Sequence, residues 1–384
     1  MNILNAVLTV DIPSLAANDF ESATIYLIKG KQRKKIKATK IENEQNTLPV
    51  LEYQISQRKH KMRLVGIEDR VFPSSVRRRL QEEVMEIRNE LESMVSVTSL
   101  SVYRLRSDDE YEVRDRHGTR VISPVDYRLS QALRGLTQYQ LKLSQKASEV
   151  SARLQSDVLA SILYSEEDAK DIGYKLHFDK SDEQSRLTSA YAQLNSLTPD
   201  IRKRIRFHVN AISETIEKIT GSAESDDANR SSKTIDIKPL EALRKTHRII
   251  DLALDAKKET EEIYSQIRKF LQIIKEFITD KEFEFDSGGL VIKTAHGVVG
   301  HERLSSGEKQ LIILIVEALL QDRLPHVFLA DEPELSLHIA WQRMVIPAVR
   351  EINPNAQIIV ATHSPEVASK YPDSIFDMES LVND

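Results

Sequence analysis

Cysteine is absent from all 384 residues. Disulfide frameworks, thiol nucleophiles and cysteine-ligated zinc sites are thereby excluded, and a reducing, cytoplasmic compartment is the expectation. Long apolar runs are absent too. The best, Leu311–Val316, falls far short of the ~18 to 20 residues of a membrane span, so no membrane association is expected. The amino terminus has no basic stretch followed by an apolar segment and a small-residue cleavage site, so no signal peptide is read. Neither charge sign dominates: 54 Lys plus Arg face 59 Asp plus Glu, a net charge of −5. That balance does not itself point to nucleic acid, although local basic clusters still can. With 40% hydrophobic and 29% charged residues, disordered and collagen-like chains are excluded. At ~150 residues per domain, the length suits two domains or one large domain with an insertion.

What is present divides by texture. Ile3, Leu4, Val7 and Leu8 form one stripe, predicting a helix already in progress at Met1 and ended by Pro13. Three β-like runs follow, Ala23–Ile28, Lys34–Ile41 and Leu48–Ile55, the first two joined tightly through Lys29-Gly30-Lys31 as an antiparallel pair. Helices are predicted over Pro73–Val95, Asp126–Tyr164, Asp182–Leu197 and Pro199–Thr220, with a strand over Ser99–Arg106. Gly221–Ser232 has no aliphatic residue larger than Ala and is expected to be mobile. Apolar positions from Leu240 to Phe277 mark a long helix or a bent pair. No seven-residue repeat is sustained, so an insertion packing on itself is favoured over a free coiled coil. A β-hairpin is expected around Asp286-Ser287-Gly288-Gly289, and strand and helix signals then alternate at α/β spacing. The domains expected are 1–106, 107–280 (helical, with linker 221–232) and 281–384.

Chemistry concentrates in that last segment. Ser305 and Glu308 have capping-box spacing before the apolar helix Leu311–Leu320. A helix amino terminus is an anion site, but it is also an ordinary helix start. The strand Val327–Ala330 delivers Asp331 and Glu332 at its carboxyl end, where open α/β sheets bind ligands. One carboxylate can hold Mg²⁺ while its neighbour activates water; an acidic turn stopped by Pro333 is the plainer reading. A second strand, Gln357–Ala361, ends in Thr362-His363-Ser364, where His363 can reach a phosphate or a lytic water.

Together these elements resemble ATP-binding-cassette ATPases, in particular the branch of structural-maintenance-of-chromosomes and RecF-type proteins. Leu304–Gln310 is similar to that family's signature motif, Asp331-Glu332 to its Walker B pair, Leu335–His338 to its D-loop and His363 to its switch histidine. The form Asp331-Glu332-Pro333-Glu334-Leu335-Ser336-Leu337-His338 resembles the overcoming-lysogenization-defect nucleases and the ATPases of Septu and retron-linked anti-phage systems. The resemblance covers Gly289–Met378. It implies an α/β fold: an ATPase head with an antiparallel β-subdomain and a large α-helical insertion. It implies ATP and Mg²⁺ as cofactors, with Asp331 holding the metal through water, Glu332 as general base and His363 sensing the γ-phosphate. Ser305, Ser306, Gly307 and Glu308 would face the ATP of a second subunit, and Ser336 and His338 would belong to the D-loop. Pairing into a homodimer or higher oligomer through the heads is implied, with a separate effector such as a nuclease or toxin.

The sequence departs from the family in one respect: no stretch fits Gly-x-x-x-x-Gly-Lys-Ser/Thr. Met1–Val10 reads as the inside of the helix that follows this phosphate loop, which places the loop just upstream, in ~40 further residues encoded in frame. A shortened chain, which would expose a sheet edge, is the alternative. Three functions follow: an ATPase subunit of an anti-phage or DNA-processing complex, a scaffold with a dead nucleotide site, or a RecF-like repair clamp. Lysines and arginines over residues 29–40, with Arg58, Lys59, Lys61 and Arg63, offer a nucleic-acid contact or merely protect an edge strand.

Overall fold

The computed structural model describes residues 1–41, 50–63, 74–100, 111–115, 118–163, 178–224, 236–286 and 289–382. The chain forms two compact units, one of Met1–Tyr139 with Ile267–Asp384, the other of Gln140–Gln266.

In the first unit, helix α1 (Asn2–Thr9) ends at Val10, whose left-handed backbone (φ 53°) lets Asp11 N–H reach Ala6 O at 3.0 Å. Pro13 does not end that helix. It lies in the first turn of a second one, α2 (Ile12–Ala17), where its missing N–H costs nothing and Asp11 caps Ser14 N–H. Strands β1 (Ser22–Lys29), β2 (Gln32–Ile41), β3 (Val50–Ile55) and β4 (Arg58–Arg63) form an antiparallel sheet in chain order. The expected β1–β2 hairpin forms, with Lys29 opposite Gln32 and Gly30 at φ 59° in its turn. Period-two alternation sends Ile36, Ala38, Leu51, Tyr53, Ile55 and Met62 inward onto α1, α2 and helix α3 (Ser74–Glu92). Tyr53 Oη donates to Val7 O at 3.0 Å, fixing α1 to the sheet. Burial raises the Tyr53 phenol well above its ordinary value, with Asp11 adding to the shift.

Strand β5 (Val97–Leu100) starts earlier than expected, and the remainder of the anticipated Ser99–Arg106 strand lies outside the described residues. Strands β6 (Tyr111–Asp115) and β7 (Gly118–Ile122) form a hairpin that periodicity did not reveal. Helix α4 (Pro124–Ile162) follows.

The second unit holds the rest of α4 with α5 (Lys180–Gln193), α6 (Pro199–Glu224) and α7 (Lys238–Ile263). Leu187 and Ala190 of α5, Ile205 and Val209 of α6 and Ile250 of α7 form its core. Helix α6 continues past Gly221 to Glu224, and most of the expected linker, residues 225–232, lies outside the described residues. Tyr264 ends α7, and a separate helix, α8 (Ser265–Phe277), begins at the last residues of this unit and belongs mostly to the first, so two helices form rather than one.

Back in the first unit, the expected hairpin is β8 (Glu282–Asp286) with β9 (Gly289–Thr294), extended by β10 (Gly297–Val299). Helix α9 (Ser306–Leu320) has Leu311–Val316 buried throughout, because it carries apolar residues on all sides and must sit inside the unit. Strand β11 (His326–Asp331) then pairs in parallel with β5 on one side and β12 (Ala356–Ala361) on the other. Helix α10 (Ile339–Ile352) connects β11 to β12 as a β-α-β unit, and α11 (Pro365–Ala368) and α12 (Met378–Val382) follow. The protein is thus a mixed α/β fold with an antiparallel β-subdomain and a helical unit. Among the described residues, no helix is long and apolar enough to cross a membrane.

Candidate functional site

Strand register brings two of the sequence-selected residues together. Asp331 lies opposite Ala361, so the segments beginning at Glu332 and Thr362 leave the parallel sheet at the same level, at its carboxyl end. Glu332 N–H donates to Ala361 O at 2.7 Å. Its backbone is left-handed, φ 47°, an unfavourable conformation for a side chain and one that clusters at functional sites. The result is that His363 Nε2 stands 3.7 Å from Glu332 Oε1. The imidazole is 93% exposed and the carboxylate 39% exposed. Both therefore face solvent, where a ligand would arrive.

At the start of α9 the capping box forms in full: Glu308 N–H donates to Ser305 Oγ at 3.3 Å and Ser305 N–H donates to Glu308 Oε2 at 2.7 Å. Lys281 Nζ reaches the other oxygen, Glu308 Oε1, at 2.7 Å. Burial alone would lower the Lys281 pKa, but its bonds to Asp280 and Glu308 outweigh this and raise it. Glu308 is thus buried and uses both oxygens within the chain, while Ser305 and Ser306 remain exposed. Lys309 pairs with Asp126 of α4 at 2.7 Å. Burial pushes the Asp126 carboxyl up, yet Lys309 and Ser123 together hold it below its ordinary value.

Gly307 is buried for a steric reason. A Cβ there would come within 2.4 Å of Ser336 O, so only glycine lets α9 approach this backbone. Ser336 itself has φ 66°, the second left-handed residue of the turn after β11. His338 caps α10, accepting Ala340 N–H on Nδ1 at 3.3 Å.

Sequence reasoning missed the residues that tie these motifs together. Gln310 Nε2 donates to Pro333 O at 3.0 Å inside the protein, joining α9 to the turn after β11. Gln342 of α10 donates to Leu337 O at 3.1 Å and accepts Ser364 Oγ at 2.7 Å. Glu334 accepts Thr362 Oγ1, His363 N–H and Ser364 N–H, the latter two at 3.2 Å. A second carboxylate two residues after Glu332 was the only available signal, and sequence alone did not show which way it turned.

The donor set suits a hard cation. Asp331 offers a carboxylate at the end of β11, and Mg²⁺ needs only one or two of these when phosphate and water complete its shell. Among the described residues no group of three His, Cys, Asp or Glu forms a fuller metal cage.

With this geometry in view, residues 102–369, more than half of the chain, match the family described as "AAA domain, putative AbiEii toxin, Type IV TA system". Over 96 residues the chain is 34% identical to Septu protein PtuA of Bacillus thuringiensis, covering 21% of this chain and 24% of that protein. Over 76 residues it is 36% identical to the Retron Ec83 probable ATPase of Escherichia coli, covering 17% of this chain and 14% of that protein. The matched stretches thus span about a quarter or less of the length of these relatives. Among solved structures, an Smc head domain with an extended coiled coil, bound to the ScpA C-terminal domain and derived from Pyrococcus furiosus, aligns over 96% of this chain and 81% of that one. Its identity is 14% and its TM-score 0.31. An SmcHead bound to the ScpA C-winged helix domain aligns over 29% of this chain and 40% of that one, at 22% identity and TM-score 0.24.

Proposed function

The chain belongs to this AAA-domain family, and on that premise we propose that it is an ATP-hydrolysing subunit of a prokaryotic anti-phage or DNA-processing assembly. In this reading it pairs through ATP-bound heads and so controls a separate effector, such as a nuclease. The observation that carries the reading is the approach of His363 to Glu332 at the shared end of two parallel strands. Glu332 accepts the proton of an attacking water, and His363 reaches the γ-phosphate as a hydrogen-bond donor. Asp331, at the end of β11, would hold Mg²⁺ through water. Bound there, the metal would offset the phosphate charge.

Ser305 and Ser306 are the exposed groups of the α9 amino terminus, so they are the ones able to meet a phosphate on a second subunit. Gly307 and Glu308 serve that contact indirectly, by seating and capping the helix. Ser336 and His338 hold the D-loop turn beside it. The reading needs a phosphate cradle that these 384 residues do not contain in the form Gly-x-x-x-x-Gly-Lys-Ser/Thr. The second reading is a nucleotide-inactive scaffold, which would pair without regard to ATP. Light scattering with and without ATP separates the two. Head pairing that needs ATP and is weakened by Ser305→Arg supports the first, and pairing indifferent to both sinks it.

Nucleic acid is the further partner we propose. Strand register places Arg33, Lys35 and Lys37 of β2 on the sheet face opposite the core, with Lys59 and Lys61 of β4 on the same face. Glu52 lies among them and pairs with Lys59 at 2.9 Å and Lys61 at 3.7 Å. Exposed Tyr26 stacks under Arg33 at 4.1 Å. Lys40 is engaged elsewhere, donating to Asn18 O. A basic face with an aromatic on it suits a phosphodiester backbone.

A further inference from the structure

Glu334 has no part in the chemistry above, yet it is only 8% exposed, and its Oε2 makes no hydrogen bond among the described residues. Burying a carboxylate with one oxygen unsatisfied is costly, and a well-packed neutral side chain would stabilise the turn at least as well. What the carboxylate supplies is geometry. Its Oε1 collects Thr362 Oγ1, His363 N–H and Ser364 N–H, three donors that converge only if the backbone after β12 turns as it does. The His363 ring is 93% exposed and cannot be aimed by packing of its own. Its backbone is what is held. Glu334 is in turn anchored through its neighbour, since Pro333 O accepts Gln310 Nε2 of α9.

We infer that Glu334 is the positioning residue for His363: it clamps Thr362–Ser364 so that the imidazole stands opposite Glu332. This role rests on the ATPase reading for its purpose, but the clamp itself can be measured without turnover. Site-resolved amide hydrogen exchange on Glu334→Ala should show the His363 amide exchanging about tenfold faster or more, the Ser364 amide, which also donates to Thr362 Oγ1 at 2.9 Å, changing less, and β12 amides such as Ile359 unchanged. Glu334→Gln, which keeps an acceptor oxygen, should retain part of the protection. In turnover, Glu334→Ala should lower kcat roughly 10²-fold with KM for ATP unchanged, and should cause no further loss in a His363→Ala background. A residue of purely structural importance would lower activity equally in both backgrounds. Unaltered protection at His363 in folded Glu334→Ala, or an equal loss in both backgrounds, overturns the inference. If the wild-type protein hydrolyses no ATP with the phosphate cradle in place, the ATPase reading fails and the exchange result alone decides the role of Glu334.

Discussion

Gly307 and Ser336 touch so closely that a single added carbon on Gly307 would lie 2.4 Å from the Ser336 carbonyl oxygen. The obstacle is backbone, which cannot rotate away as a side-chain tip could. Gly307→Ala should therefore destabilise the protein by roughly 1–3 kcal/mol, the usual cost of overpacking. Chemical denaturation measures it, and a variant as stable as wild type would mean the turn at Ser336 yields freely.

Most of this site was legible because it is local in sequence. The capping box, the two carboxylates after an apolar strand and the histidine after the next strand are all read from spacing. The parallel register that sets Asp331 opposite Ala361 turns those readings into one place. The links between motifs were not legible, because Gln310 to Pro333 and Glu334 to Ser364 join segments 23 and 30 residues apart. Their polar side chains carry no periodicity. The Pro13 reading failed for a related reason: proline ends one helix or opens another, and only the left-handed Val10 before it decides which.

Glu317 on α9 gives a pH-dependent test. Burial raises its carboxyl above the ordinary value, against the opposing influence of Arg128. The folded state therefore holds this proton more tightly than the unfolded chain does. Stability falls as pH rises from the unfolded value through the folded one, and the penalty is complete above that. Glu317→Gln removes the penalty. It should melt higher than wild type at about pH 7, with the gap closing near pH 4, where the unfolded carboxyl also takes up its proton. A gap unchanged across that range would show that Glu317 does not carry the shift.

The basic face of the β-subdomain should act through charge. Reversing Lys35, Lys37 and Lys59 to Glu should abolish binding of a nucleic-acid duplex at low salt, while wild-type affinity falls steeply with added salt. Each of these side chains lies on the solvent face of the sheet, so the fold should survive, as circular dichroism would verify. Binding retained in the triple variant would reduce these lysines to an ordinary solvated face, since β2 is paired on both sides and Lys35 and Lys37 guard no sheet edge.

The central claim is that Glu332 takes the proton from water during ATP hydrolysis, and single-turnover hydrolysis tests it most directly. With the phosphate cradle in place, Glu332→Gln should still bind ATP but hydrolyse it roughly 10²- to 10⁴-fold more slowly, because an amide cannot accept the proton. A single-turnover rate within about tenfold of wild type would contradict the assignment.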